Sequence, residues 1–144
     1  MEKFNILKND NPLEIQVVAD TVKPAQTLVY KVKGDSYELL TSSKKTFDGN
    51  ITYNAFNEII FKEITDNIGS LEGWKLRIIT FVNSLPASVK DKEGFQEYVL
   101  KGNVRMKYTL KEMKNIQEYG VVKETDFVLN KFNEGMIIKD IEMS

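Results

Sequence analysis

From Leu13 the chain alternates: Leu13, Ile15, Val17 and Ala19 share one face, while Glu14, Gln16 and Asp20 share the other. A period of two is the signature of a half-buried strand, and Pro24 marks its end. A second alternating run places Leu28, Tyr30 and Val32 inward and Thr27, Lys31 and Lys33 outward, closed by Gly34-Asp35. The two runs read as an antiparallel pair, with Tyr37, Leu39 and Phe47 continuing the sheet up to the turn at Asp48-Gly49-Asn50. From Thr52 the pattern changes. Phe56, Ile59, Ile60, Ile64 and Ile68 recur at steps of three and four, which predicts an amphipathic helix capped by Thr52 or Asn54 and stopped at Gly69; a strand through Ile59 and Phe61 is the rival reading.

Trp74, Leu76, Ile78 and Val82 then alternate against Lys75, Arg77 and Asn83, predicting a central strand that ends at Pro86. Ile79 and Phe81 make its second face apolar as well, so something is expected to cover that face, the first helix being the natural candidate. Residues 87–94 read as a charged loop. The run from Tyr98 to Leu110 alternates throughout, as a hairpin turning at Lys101-Gly102-Asn103 or as one long bulged strand. Thr109 and Glu112 match a capping box, and Leu110, Met113 and Ile116 follow at helical steps, predicting a short helix before Gly120. Residues 126–133 fit either a helix with Val128, Leu129 and Phe132 on one side or a strand through Thr125, Phe127 and Leu129. Met136 to Met143 reads as a last strand. The expected fold is a single α+β domain over residues 1–144, a mostly antiparallel sheet with two or three helices packed on it, with an all-β sandwich as the alternative. Leu28, Tyr30, Trp74, Leu76, Ile78, Leu100, Val104 and Met106 are the expected core.

Composition narrows the chemistry more than the fold. The 144 residues are 42% hydrophobic and 28% charged, enough apolar content to build a core and too much for a disordered chain. The sequence contains neither Cys nor His. Thiol nucleophiles, His-based relays, Cys/His zinc sites, haem-binding His and disulfides are therefore excluded, leaving carboxylates, Lys, Tyr or a Lys-activated Ser for any catalysis. The net charge is −1, and only two of the 20 basic residues, Arg77 and Arg105, are arginines, so no field gathers a phosphate backbone and no nucleic-acid partner is expected. Lys3, Lys8 and Asp10 interrupt the N-terminal segment, and the longest strongly apolar stretch, Ile78–Val82, is too short to span a bilayer. A cytoplasmic or virion-associated protein of bacterial or phage type is expected, with secretion left open if a leader has been removed.

Each candidate site has an ordinary structural reading beside it. Ser42-Ser43-Lys44-Lys45 matches S-x-x-K without the companion elements of that mechanism, which favours a solvated loop. Asn9-Asp10-Asn11, Asp48-Gly49-Asn50 and Asp66-Asn67 carry the oxygen ligands calcium prefers, but these residues also serve turn geometry, and no metal or other cofactor is expected. Glu93 with Glu97, or Glu58 with Glu63, could act as a glycosidase pair only at a separation that a sequence does not show. Trp74 with Tyr53 and Phe56 could stack on a sugar, although the parity of Trp74 places it in the core. Asn50-Ile51-Thr52 is a glycosylation sequon that matters only in a protein secreted from a eukaryotic cell. Lys101, Arg105, Lys107 and Lys111 share the outward parity of the long run and form a basic stripe, the candidate partner-binding surface. A non-enzymatic interaction or assembly module, whether small structural subunit, adaptor or phage-type structural protein, is the expected function, with a protein partner or self-association. A small-ligand or carbohydrate-binding domain and a carboxylate-dependent hydrolase are the alternatives.

Overall fold

A computed structural model describes residues 2–43, 56–121 and 125–144, with the side chains of residues 56–60 left out. The strands are β1 (Glu2–Phe4), β2 (Leu13–Thr21), β3 (Ala25–Lys33), β4 (Ser36–Ser42), β5 (Phe56–Thr65), β6 (Lys75–Val82), β7 (Val104–Glu112), β8 (Asn115–Tyr119), β9 (Asp126–Leu129) and β10 (Gly135–Met143). Among the described residues they form a six-stranded sheet in the order β1-β10-β6-β3-β4, with β9 also on β10, and a four-stranded sheet in the order β5-β2-β7-β8. Among the described residues the β1–β10 pairing is parallel and the other pairings are antiparallel. The architecture is therefore a two-sheet, mostly antiparallel β-structure, which corrects the α+β expectation towards the all-β alternative.

The core lies between the sheets. Leu13, Ile15, Val17 and Ala19 of β2 and Val104, Met106, Tyr108 and Leu110 of β7 are buried on one side. Val29 of β3, Leu76, Ile78 and Val82 of β6, and Ile137, Ile141 and Met143 of β10 are buried on the other. Thr27 and Thr80 also face inward, with their hydroxyls 2.9 Å apart, and the backbone N–H of Thr27 donates to Oγ of Ser43 at 2.9 Å. These polar groups are tolerated because each finds a partner.

The helical content is small. Asp91 caps α1 (Lys92–Tyr98), its carboxylate accepting from the backbone N–H of Gly94 at 2.7 Å, and a wide turn over Val99–Asn103 continues it. Phe95 packs edge-on to Phe127 and lies so close to Gly135 that a Cβ there would sit 2.4 Å from its ring. Gly135 pairs with Val82, so α1 closes that end of the sheets. At the other end a 3-10 turn over Ile68–Leu71 buries Ile68 and Leu71, and Gly69 is pressed against Asn9 where a Cβ would come within 2.7 Å. Among the described residues no helix is long and apolar enough to cross a membrane.

Several local expectations are corrected. The predicted helix through Phe56–Ile68 is strand β5, and two register shifts against β2 explain its misleading spacing. Each shift inserts one extra residue, which inverts the parity, so two bulges turn an alternating strand into one with steps of three. The predicted helix after Thr109 is the end of β7, a two-residue turn at Met113-Lys114, and β8. Tyr98–Asn103 is neither hairpin nor strand but helical, which leaves Leu100 60% exposed rather than in the core. The tail is a strand at β9, one of its two readings. The β2 and β3 runs do not pair and belong to different sheets. In β3 Val32 is buried and Lys33 exposed as expected, but Leu28 and Tyr30 face outward and are half-buried, as is Trp74, whose ring lies beneath the ammonium groups of Lys31 and Lys33. The inward Thr27 is acceptable because Thr80 and Ser43 satisfy it, a compensation that local alternation cannot register. Phe47, Asp48-Gly49-Asn50 and the caps Thr52 and Asn54 lie outside the described residues.

The two faces of β6 predict different sensitivities. Ile78→Ala is expected to lower stability by about 2–5 kcal/mol because it empties a closed core, and Ile79→Ala, on the outer face, distinctly less. Urea denaturation of both variants checks this.

Candidate functional site

The outer face of the six-stranded sheet is built by the residues of β3, β6, β9 and β10 that do not point into the core. Register aligns them in rows. Leu28 lies opposite Ile79, and Ile79 opposite Ile138. Phe81 lies opposite Met136, and Met136 opposite Val128. All six are half-buried, so an apolar block runs across four adjacent strands. Tyr37 and Leu39 of the edge strand β4 extend it, each 52% exposed. Isolated apolar side chains are ordinary on a surface, whereas contiguous blocks rimmed by polar groups mark interaction sites.

The polar rim lies on the same strands. Arg77 donates to both carboxylate oxygens of Asp140, at 2.8 and 2.9 Å, and also reaches the Tyr37 hydroxyl. The hydrogen bond that Arg77 donates to Asp140 is the main reason the guanidinium holds its proton more tightly than usual. Lys75 lies 3.8 Å from Asp140 and opposite Glu142 in the register. Two positive and two negative groups thus close one end of the apolar block with no net charge.

The outer face of the four-stranded sheet differs. Arg105, Lys107 and Lys111 alternate along β7 on that face, but Arg105 lies opposite Asp20 and Lys111 opposite Glu14, and Lys107 is 3.2 Å from Glu118. Three residues of the basic stripe are thereby brought together, each beside an acid. The fourth, Lys101, lies on the turn after α1 and pairs with Glu97 at 2.9 Å.

The remaining sequence candidates serve the fold. Asn9-Asp10-Asn11 and Asp66-Asn67 do converge, through Asn11 C=O accepting from Ile68 N–H and Asn9 C=O from Gly69 N–H, both at 2.8 Å. The side chain of Asn67 caps the turn that follows. Among the described residues no group of three or more acidic side chains is placed to hold a metal ion. Ser43 is buried against Thr27, whereas Lys44, Lys45, Tyr53, Asp48-Gly49-Asn50 and the sequon lie outside the described residues. Glu93 and Glu97 are on α1, and Glu97 lines an open cleft of about 390 Å³ together with Tyr98, Lys101 and Asn103. Its two charged groups, Glu97 and Lys101, neutralise each other.

Sequence reasoning missed two buried ionic groups, and both tie down the N-terminal segment. Lys139, 2% exposed, donates to Glu2 Oε1 and to Gly120 C=O, each at 2.8 Å, and stands beside the rings of Tyr108 and Tyr119. Burial, and secondly the charge of Glu2, push the Tyr119 hydroxyl up to about 12 and that of Tyr108 higher still. Glu112, fully buried, accepts from Leu7 N–H at 2.8 Å, Lys8 N–H at 2.9 Å and the Asn11 amide at 2.9 Å. Burial alone would raise its pKa, but the hydrogen bonds from Leu7, Asn11, Lys8 and Asn115 together hold it below the ordinary carboxylate value. Charged residues in otherwise well-formed β-patterns were the available signal: Lys139 shares parity with Ile137 and Ile141, and Glu112 with Leu110.

Comparisons with protein-family models, with curated proteins and with solved structures found no match to this chain.

Glu112 makes stability depend on pH. A carboxylate with a lowered folded pKa stabilises above its ordinary value near 4.5, and that contribution disappears as the pH falls through the folded pKa. Glu112→Gln is therefore expected to be less stable than the parent by about 1–3 kcal/mol at neutral pH, with the difference shrinking below pH 4.5. Denaturation midpoints of both proteins across that range test it.

Proposed function

We propose that this chain is a non-enzymatic interaction or assembly module that works through the outer face of its six-stranded sheet by binding protein. The apolar block of Leu28, Ile79, Phe81, Val128, Met136 and Ile138 carries this reading, because it presents contiguous hydrophobic surface across four strands, rimmed by charge. Removing such surface from water stabilises a complex by roughly 25 cal/mol per Å² before the costs of association, so a flat apolar face favours another protein surface over a small solute, which needs a concave site. The absence of Cys and His from the sequence and the mutual pairing of the charged residues at the cleft beside α1 support the non-enzymatic part. The basic residues of β7 stand beside acids, which leaves that face a weaker attractor for an acidic partner than its lysines alone would make it.

The test is photo-crosslinking of the full chain in its own source cell. A photoreactive residue at Ile138 is expected to yield adducts with protein, the chain itself included, while the same residue at Lys107 on the opposite face yields none. Adducts from Lys107 alone, or from neither position, would overturn the reading.

A further inference from the structure

The face is complementary to itself, and from this we infer that its occupant is a second copy of the chain, related by a two-fold axis that runs parallel to the strands between β6 and β10. The inference rests on the interaction reading above and names its partner. Within one chain the outward residues of the two strands pair in four rows: Lys75 with Glu142, Arg77 with Asp140, Ile79 with Ile138 and Phe81 with Met136. Rotation by 180° about an axis midway between the strands sets β6 of one copy over β10 of the other without shifting the rows. Each residue then meets the other copy's version of its own cross-strand mate. Arg77 faces an aspartate, Lys75 a glutamate, Ile79 an isoleucine and Phe81 a methionine, and no like charges are opposed. An isologous contact requires this kind of self-complementarity.

The other two-fold arrangement, with the axis across the strands, reverses the rows and places Phe81 and Met136 over Lys75 and Glu142. That would set the Lys75–Glu142 and Arg77–Asp140 rows against hydrocarbon, whereas the first arrangement opposes charge with hydrocarbon at its margin, where Leu28 meets Asp126, which keeps Lys92 as its partner at 3.4 Å. Aligned sheet packing with its usual rotation of about 30° keeps the central rows in contact. The area is sufficient. The axis overlaps four strand positions, and four strands at about 4.8 Å spacing with roughly eight residues at about 3.3 Å rise give a face on the order of 500 Å² in projection. The accessible surface of a side-chain-covered face exceeds its projection, which brings it near the roughly 800 Å² per partner of a standard interface.

The test uses the purified full chain in sedimentation equilibrium or light scattering. The parent is expected to show twice its 16.6 kDa chain mass as concentration rises. Lys75→Glu alone opposes two glutamates at both symmetry-related contacts, and Glu142→Lys alone opposes two lysines. Each is expected to weaken self-association at least about tenfold. Mixed one to one, the two variants restore both contacts, so dimers of parental strength should return as heterodimers. Ile79→Glu with Ile138→Lys, mixed in the same way, provides a second pair that acts on the apolar rows, and circular dichroism confirms that each variant is folded. A parent that stays at 16.6 kDa at every concentration, single variants that associate like the parent, or folded variants whose mixture fails to recover would each overturn the second copy as occupant. Adducts between Ile138 and a different protein, together with a monomeric parent, would leave the interaction reading standing and remove only this one.

Discussion

The pairing of β6 with β10 sets both faces of the six-stranded sheet at its centre. Its antiparallel register places Leu76, Ile78, Thr80 and Val82 beside Ile137, Lys139 and Ile141 in the core, and on the reverse side aligns like with like and charge with opposite charge. A slip of one residue would exchange the two faces of a strand, exposing core isoleucines and burying Arg77 or Asp140. Register is firm here because one face is closed by the second sheet and the other carries the bidentate Arg77–Asp140 contact. Such a pair, half-buried between neighbouring strands, helps fix pairing more than it adds net stability.

The N-terminal segment depends on that same register. Lys139 lies on the inward parity of β10, and its ammonium group is compatible with burial only because Glu2 and Gly120 accept from it. Glu112 does the corresponding work at the end of β7, where it accepts from Leu7, Lys8 and Asn11. The six-stranded sheet and the four-stranded sheet thus each contribute one buried ion to hold residues 2–11, and β1 covers part of the edge that β10 would otherwise expose.

Much of the candidate site was visible along the chain without being recognised as a site. The two-sided apolar pattern of β6 signalled a covered outer face, and Ile79 and Phe81 indeed lie on the apolar block, but the cover expected from a helix at Phe56–Ile68 is absent because that segment is β5 of the other sheet. The basic residues of β7 were legible as an outward row. Their acidic neighbours on β2 and β8 were not, since Asp20, Glu14 and Glu118 are far away in sequence and arrive through pairing.

The alternation of Leu13–Ala19, Leu76–Val82 and Val104–Leu110 by itself determined three strands and their buried faces, because side-chain direction in a strand follows from local geometry alone. The lack of Cys and His, equally local, removed whole classes of chemistry. Only the tertiary structure decided that β2 and β3 lie in different sheets, that the inward face of β3 is the one carrying Thr27, and that Phe56–Thr65 is a bulged strand. Those outcomes depend on partners distant in sequence: Thr80 and Ser43 satisfy a buried hydroxyl and amide, and β2 absorbs two register shifts. A pattern read residue by residue carries propensity and periodicity, whereas hydrogen-bond satisfaction and sheet membership are properties of pairs that folding brings together.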